Sequence, residues 1–459
     1  LTQPKRSRKG RRAKAEAGKA PRPPQARSGQ GSAILSRTLP AIGISASLIL
    51  WGLDIPYFYA AAAAGIVIAG IAYLSLRSRR PTIVGLDVGH SAIKIVELSR
   101  GSNPTMLRYA ITPTPLEAVA DGVVRNRDAL IAGLQDALAQ SGIAPGEVIT
   151  VMTGQTLVLQ HLDFPRMREG ELRQAVAEQV TAHVPMPAEE ILYDYHQSDG
   201  GRDDMSRVLL VATQRDPVTT LVETLRDAGL VPTRVDIEPL AAYRAVFPGS
   251  RSQAAVKRQP RRAKRGSEAL AEEQAATAVQ PNVQVIVDLG AGTSNVSIYQ
   301  DGVLQLQRVL RVAGQDLTKA VSVGMRVPLE EAEQLKREHG LAEDSLISHA
   351  IRPVAESLFR EVRLSLEFFH SRNREVRFSD VVLIGGNARL RGMAEQLQEH
   401  LVSSLDGLMD ISALRVYMPS SEGRIEGKGP AADGAEDVFP VLAVALGLAL
   451  GEVDSVGSR

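Results

Sequence analysis

Val84-Gly85-Leu86-Asp87-Val88-Gly89-His90-Ser91-Ala92-Ile93-Lys94-Ile95-Val96 has a counterpart later in the chain, Val285-Ile286-Val287-Asp288-Leu289-Gly290-Ala291-Gly292-Thr293-Ser294-Asn295-Val296-Ser297. Each reads as an apolar strand, an aspartate, one apolar residue, a glycine, a short turn and a second strand. The aspartates stand 201 residues apart, which predicts a duplicated domain with the same hairpin in each half. One such hairpin alone is ordinary, because Asp and Gly serve any tight turn between core strands. Two matching copies point to a shared ligand.

The residue types suit a chain of phosphates. Gly89, Gly290 and Gly292 let the backbone come close and turn its N–H groups toward an anion. Ser91, Thr293 and Ser294 offer hydroxyl donors, and Lys94 offers a point charge. Asp87 and Asp288 end their strands facing one gap, where they can hold the water shell of Mg²⁺. A third element follows: Phe378 to Ile384 reads as a strand running into Gly385-Gly386-Asn387-Ala388-Arg389-Leu390-Arg391-Gly392 and a helix from Met393. Its paired glycines let a base or ribose approach the backbone; a plain strand-to-helix turn is the alternative. Gly423, Gly427 and Lys428 imitate a P-loop, but the spacing is wrong and no Ser or Thr follows the lysine.

The 459 residues, 44% hydrophobic and 23% charged, are enough for two or more folded domains. Without a single cysteine, disulfides, thiolate metal sites and cysteine nucleophiles are excluded. The net charge of +1 hides an asymmetry, for residues 1–32 carry +9 and the remainder −8. Residues 38–76 contain one charge, Asp54, beside Gly52 and Pro56. Ile55 to Leu76 has 22 residues, enough to span a bilayer, and Thr38 to Leu53 has 16. Basic residues on both sides (the arm, then Arg77, Arg79 and Arg80) predict an even number of crossings with both flanks cytoplasmic. A re-entrant first segment, a signal peptide and a buried helix pair are the other readings. Beside a membrane, the basic arm fits anionic headgroups better than nucleic acid.

The expected organisation is a basic arm (1–32), a membrane hairpin (33–80), an insertion (248–282) and a folded half on each side of it; the bounds of the first half (81–155 and 232–247, interrupted by a subdomain at 156–231) and of the second (283–459, ending in a helix) are those that the resemblance given below implies. Residues 248–282 combine seven Lys and Arg with an Ala, Glu and Gln run and almost no large apolar residues, and read as a flexible insertion.

The three motifs, in this order, resemble those of the actin, DnaK-type chaperone, sugar kinase and FtsA superfamily, which implies an α/β actin-like ATPase fold binding ATP and Mg²⁺. On that resemblance Glu333 and Lys336, three apart on one helical face, contact ribose and adenine; a solvated charge pair is the alternative. Glu238 in Ile237-Glu238-Pro239-Leu240-Ala241 takes the place of a water-polarising glutamate, with a helix-start acid as the bland reading. His90 departs from the pattern, since a small residue usually stands there. The resemblance thus assigns Asp87, Gly89, His90, Ser91, Lys94, Asp288, Gly290, Gly292, Thr293, Ser294, Glu333, Lys336, Gly385, Gly386 and Asn387 to nucleotide, Asp87 and Asp288 also to metal, and Glu238 to catalysis.

From Ile83 to Leu450 the chain is more narrowly similar to the PilM family of type IV pilus assembly proteins. The similarity is carried by Leu162-Asp163-Phe164-Pro165-Arg166-Met167, Val184-Pro185-Met186-Pro187, Val208-Leu209-Leu210-Val211-Ala212, Val235-Asp236-Ile237-Glu238-Pro239, Ala332-Glu333-Gln334-Leu335-Lys336 and Val444-Ala445-Leu446-Gly447-Leu448. It implies an FtsA-like 1C subdomain at 156–231 and an ATP-binding scaffold of the inner-membrane pilus platform, on its cytoplasmic face. Such a scaffold grips the cytoplasmic N-terminal peptide of a bitopic partner of the PilN kind, with slow or no hydrolysis. The membrane hairpin and the 248–282 insertion depart from that family. A filament-forming FtsA-like ATPase that self-associates is the alternative function, and a small-molecule kinase lacks a sugar-binding constellation.

Overall fold

In the strand β1 (Thr82–Val88), Val84, Leu86 and Val88 enter one core while Ile83, Gly85 and Asp87 point to the opposite face. The same alternation governs β9 (Asn282–Leu289): Val283, Val285, Val287 and Leu289 face one core, and Ile286 and Asp288 face the other way. Strand periodicity therefore carries both aspartates to the inner sides of their sheets. The computed structural model describes residues 82–101, 103–153, 157–198, 205–247, 281–420 and 435–456, with Gly65. The basic arm, the apolar stretch and almost all of the 248–282 insertion lie outside the described residues. Among the described residues no helix is long and apolar enough to cross a membrane.

The first half continues with β2 (Ala92–Ser99), β3 (Met106–Pro113), α1 (Arg127–Ser141) and β4 (Glu147–Met152). An inserted unit follows: β5 (Val158–Pro165), α2 (Glu169–His183), β6 (Ile191–Ser198) and β7 (Met205–Gln214). The half then resumes with α3 (Arg215–Asp227), β8 (Val231–Ile237) and α4 (Glu238–Val246). The second half comprises β9, β10 (Ser294–Gln300), β11 (Val303–Leu310), α5 (Gly314–Met325), α6 (Leu329–His339), α7 (Leu346–Arg372), β12 (Arg377–Ile384), α8 (Met393–Leu405), β13 (Arg415–Tyr417) and α9 (Ala435–Val456).

Duplication is explicit in the sheets. One runs β3-β2-β1-β4-β8 and the other β11-β10-β9-β12-β13, each with three antiparallel strands joined to two parallel ones. Helices α4 and α9, which follow the last parallel strand of each sheet, pack on each other between the sheets. The crossing is close: a Cβ added at Gly447 would stand 1.8 Å from the Ala241 carbonyl oxygen, and one at Gly85 would stand 2.0 Å from that of Ala445. Helices α1 and α3 cover the outside of the first sheet, and α5 to α8 that of the second. Each fully buried Val, Leu or Ile in these layers contributes roughly 1.5–3 kcal/mol.

The inserted unit is a three-stranded antiparallel sheet, β5-β7-β6, with its own core of Leu162, Phe164, Leu172, Val176, Val180, Val208 and Leu210. Its extent differs from the 156–231 expected. Val218, Leu221 and Leu225 of α3 bury an i, i+3, i+7 stripe beside Leu130 and Leu134 of α1. That helix therefore belongs to the first half, and the insertion ends near Gln214. A boundary carried over from a resemblance cannot see which core a helix joins.

Candidate functional site

Both hairpins close by the same backbone logic. Across β1 and β2, Asp87 pairs with Lys94; across β9 and β10, Asp288 pairs with Asn295. The first turn is fixed by Gly89 N–H donating to Ala92 O (3.0 Å), by Thr114 Oγ1 donating to Gly89 O (2.7 Å) and by Thr114 N–H donating to Ser91 O (3.1 Å). The second is held from α5, whose Gly314 and Gln315 N–H groups donate to Gly290 O (3.0 Å) and Ala291 O (2.8 Å).

Between the turns lies a cavity of about 720 Å³. All of the residues assigned from sequence line it except Ser294. Ser294 is 1% exposed and its hydroxyl has no hydrogen-bond partner. In a strand, side chains alternate, so Asn295 takes the cavity side and Ser294 the core side.

At the cavity floor three carboxylates converge on one ammonium. Lys94 Nζ lies 2.8 Å from Asp87 Oδ2, with both side chains largely buried. Burial alone would lower the Lys94 ammonium, but Asp87, with Asp288 and Glu238 beyond it, outweighs that and holds it above its ordinary value. Glu238 opens α4 and is 6% exposed; Asn295 Nδ2 donates to its Oε1 (2.9 Å) and Oε2 (3.1 Å). Burial, then the charges of Asp288 and Asp87, push Glu238 well above the carboxylate range, only partly offset by Asn295. Asp288 is pushed up to about 6 by burial, with Lys94 pulling it down and Asp87 pushing it up. Glu238 is thus both the helix-start acid and a cavity acid whose carboxyl is held well above its ordinary range. No grouping of three His, Asp or Glu side chains placed to ligate a metal directly occurs among the described residues.

The far wall is tied to the second hairpin by Asn387, whose Nδ2 donates to Gly290 O (3.0 Å) and Leu289 O (3.3 Å). Lys336 Nζ donates to Asn387 Oδ1 (2.9 Å), Thr318 Oγ1 (3.0 Å) and Gly314 O (3.3 Å), and lies 2.7 Å from Glu333 Oε2. The Lys336 side chain is 3% exposed against 34% for Glu333, so the lysine braces and the glutamate faces the opening. Burial lowers the Lys336 ammonium, with Glu333 partly opposing it. Burial works against ionisation of Glu333, but bonds to Lys336 and Thr318 prevail and hold it below its usual range. Gly385 has φ +87°, and a Cβ there would stand 2.3 Å from Asp288 Oδ1. Only glycine satisfies that turn.

Gly314, Gln315, Thr318 and Lys319 of α5 also line the cavity and were missed in the sequence. Their signal is the helix start at Ala313-Gly314-Gln315-Asp316, where Asp316 Oδ2 accepts from Ala313 N–H (3.0 Å). Asn295 was visible as the register partner of Asp288, in the place that Lys94 takes in the first hairpin.

His90 reaches across the gap. Its ring packs on Gly292, where an added Cβ would stand 2.8 Å from His90 Cγ, and its Nε2 lies 2.6 Å from Gln315 Nε2, the amide donating to the ring nitrogen. His90 Nδ1 is buried without a partner.

Paired sheets of one topology, a shared helical layer and facing Asp hairpins define an α/β protein of the actin-like ATPase fold. The chain belongs to the type IV pilus assembly protein PilM family, whose profile matches residues 85–452. A solved PilM-PilN type IV pilus biogenesis complex is similar with a TM-score of 0.64 and 27% identity, covering 82% of this chain and 99% of that one. Cell division protein FtsA of Bacillus subtilis (strain 168) is 21% identical over 368 residues, 70% of this chain and 77% of that protein. FtsA of Streptococcus pneumoniae serotype 2 (strain D39 / NCTC 7466) is 24% identical over 370 residues, 70% and 74% respectively.

Proposed function

We propose that the protein is an adenine-nucleotide-binding scaffold of a type IV pilus inner-membrane platform, holding the N-terminal cytoplasmic peptide of a bitopic partner of the PilN kind. The observation that carries the nucleotide reading is the facing of the Asp87 and Asp288 turns across one cavity, with Lys94 between them. Backbone N–H groups of the turns and the start of α5 suit the phosphates, and the Glu333, Gly385 and Gly386 wall suits the nucleoside. Asp87 and Asp288 would hold Mg²⁺ through its own waters, which needs no three-ligand cluster.

Holding nucleotide fits the site better than rapid hydrolysis. A water-activating base needs a free carboxylate oxygen beside the water, and both Glu238 oxygens accept from Asn295 Nδ2 while burial and the charges of Asp288 and Asp87 hold its carboxyl above the ordinary range. Family membership and the solved complex support the partner reading. The inserted sheet has two edge strands, β5 and β6, each paired on one side, and an extended peptide adds to such an edge by backbone hydrogen bonds. The apolar stretch at 33–80 and its basic flanks would anchor the scaffold at the cytoplasmic membrane. The FtsA relatives keep a membrane-anchored, filament-forming ATPase as the second reading.

Co-purification of the full chain with candidate bitopic partners, with and without nucleotide, tests the proposal. Retention of a pilus partner dependent on its N-terminal peptide is expected. Nucleotide-dependent polymers and no partner would favour the filament reading.

A further inference from the structure

His90 stands where the duplication supplies its own control. In Asp87-Val88-Gly89-His90-Ser91 and Asp288-Leu289-Gly290-Ala291-Gly292, its counterpart is Ala291. A methyl group therefore suffices to form this turn, and the imidazole is an addition to it. It is not a loose addition: the first turn is held at Gly89 and Ser91 by Thr114, so the ring projects from a fixed base. The ring spans the gap to the Gly292 backbone and to Gln315, the second residue of α5. Gln315 in turn holds the second turn through its N–H to Ala291 O. One side chain of the first half thus bridges both anion-binding elements of the second.

We infer that His90 sets the length of phosphate chain that the cavity accepts, favouring a nucleoside diphosphate over a triphosphate. The inference rests on the nucleotide reading above. The terminal phosphate of a triphosphate belongs between the two turns, within reach of N–H groups from both, and the imidazole fills that gap. A diphosphate reaching from the Glu333 and Gly385 wall to the second turn and α5 leaves His90 seated on Gly292. A triphosphate must break the His90–Gln315 hydrogen bond and lift the ring, and loss of one such bond together with its packing lowers affinity by roughly tenfold. His90 is a specificity residue in this account and takes no part in bond-making.

The test is calorimetric titration of the full chain with Mg-ADP and with the Mg complex of a non-hydrolysable ATP analogue. Wild type, His90→Ala and Gln315→Ala are compared. Wild type is expected to prefer the diphosphate by about tenfold or more. His90→Ala, which copies the second turn, should raise affinity for the triphosphate relative to the diphosphate by about tenfold. Gln315→Ala should shift the ratio the same way by a smaller factor and guards against a folding defect at the turn. An unchanged ratio in both variants, with both nucleotides bound, overturns the inference and leaves the nucleotide reading standing. Failure of all three proteins to bind either nucleotide overturns both.

Discussion

Lys94 and Asn295 occupy one register position, each directly across its hairpin from the aspartate, yet they serve different carboxylates. Lys94 pairs with Asp87 of its own hairpin, whereas Asn295 reaches Glu238 at the start of α4, in the other half. Duplication supplied two equal frames, and this substitution made them unequal. One side carries a cation paired with its own aspartate; the other ties Asn295 to Glu238, whose carboxyl is raised, and leaves Asp288 with a raised affinity for protons.

Removing the lysine should be costly. Asp87 is 8% and Lys94 16% exposed in the side chain, and breaking a buried pair from one side destabilises by about 3–5 kcal/mol. Lys94→Ala is expected to lose about 3 kcal/mol without nucleotide, read by chemical denaturation, and to lose detectable nucleotide binding. A loss below about 1 kcal/mol would mean that solvent already screens the pair.

Asp288 gives a pH-dependent prediction. Its folded value of about 6 lies above the ordinary 3.8, so the native state binds the proton more tightly than the unfolded chain. The resulting stability is present below pH 4 and is lost as pH rises through about 6. Asp288→Asn removes that loss. The nucleotide-free variant is expected to be more stable than wild type at pH 7 by about 1–2 kcal/mol, with the advantage vanishing near pH 4. Thermal scans at the two pH values check it; an equal difference at both would contradict the burial argument.

Lys336 braces four groups from three elements of the wall. Lys336→Met keeps the stem and removes the charge, leaving Glu333 and Asn387 short of a donor. A loss of about 2–3 kcal/mol and weaker nucleotide binding are expected. Glu333→Gln should leave stability within about 1 kcal/mol while still weakening binding, since Glu333 faces the opening.

The helix crossing carries the connection between the halves. At Gly447 an added Cβ meets Ala241 backbone atoms at 1.8 and 2.5 Å, which a rotamer change cannot relieve. Gly447→Ala is expected to cost more than about 3 kcal/mol and to lower nucleotide affinity by spreading the two turns, measured by denaturation and titration together.

Much of this was legible beforehand because it repeats or alternates. The two hairpins, the strand expected from Phe378 to Ile384 and the helix start at Met393 follow from local pattern, and the structure has them there, the strand beginning one residue earlier at Arg377. Alternation also put Asp87 and Asp288 on facing surfaces. What stayed hidden depends on contacts between distant segments. Ser294 carries the right hydroxyl but the wrong parity. The helix α3 lies in the sequence beside the inserted unit yet packs in another core. Gln315 acquires its role only because His90 arrives from 225 residues away, a relation that no local pattern records.

Titration of the full chain with Mg-ADP, in wild type and in Asp87→Ala combined with Asp288→Ala, tests the central claim most directly. The account predicts saturable one-to-one binding in wild type and a loss of about a hundredfold or more in the double variant. Equal binding by the two proteins, or none by wild type, would contradict it.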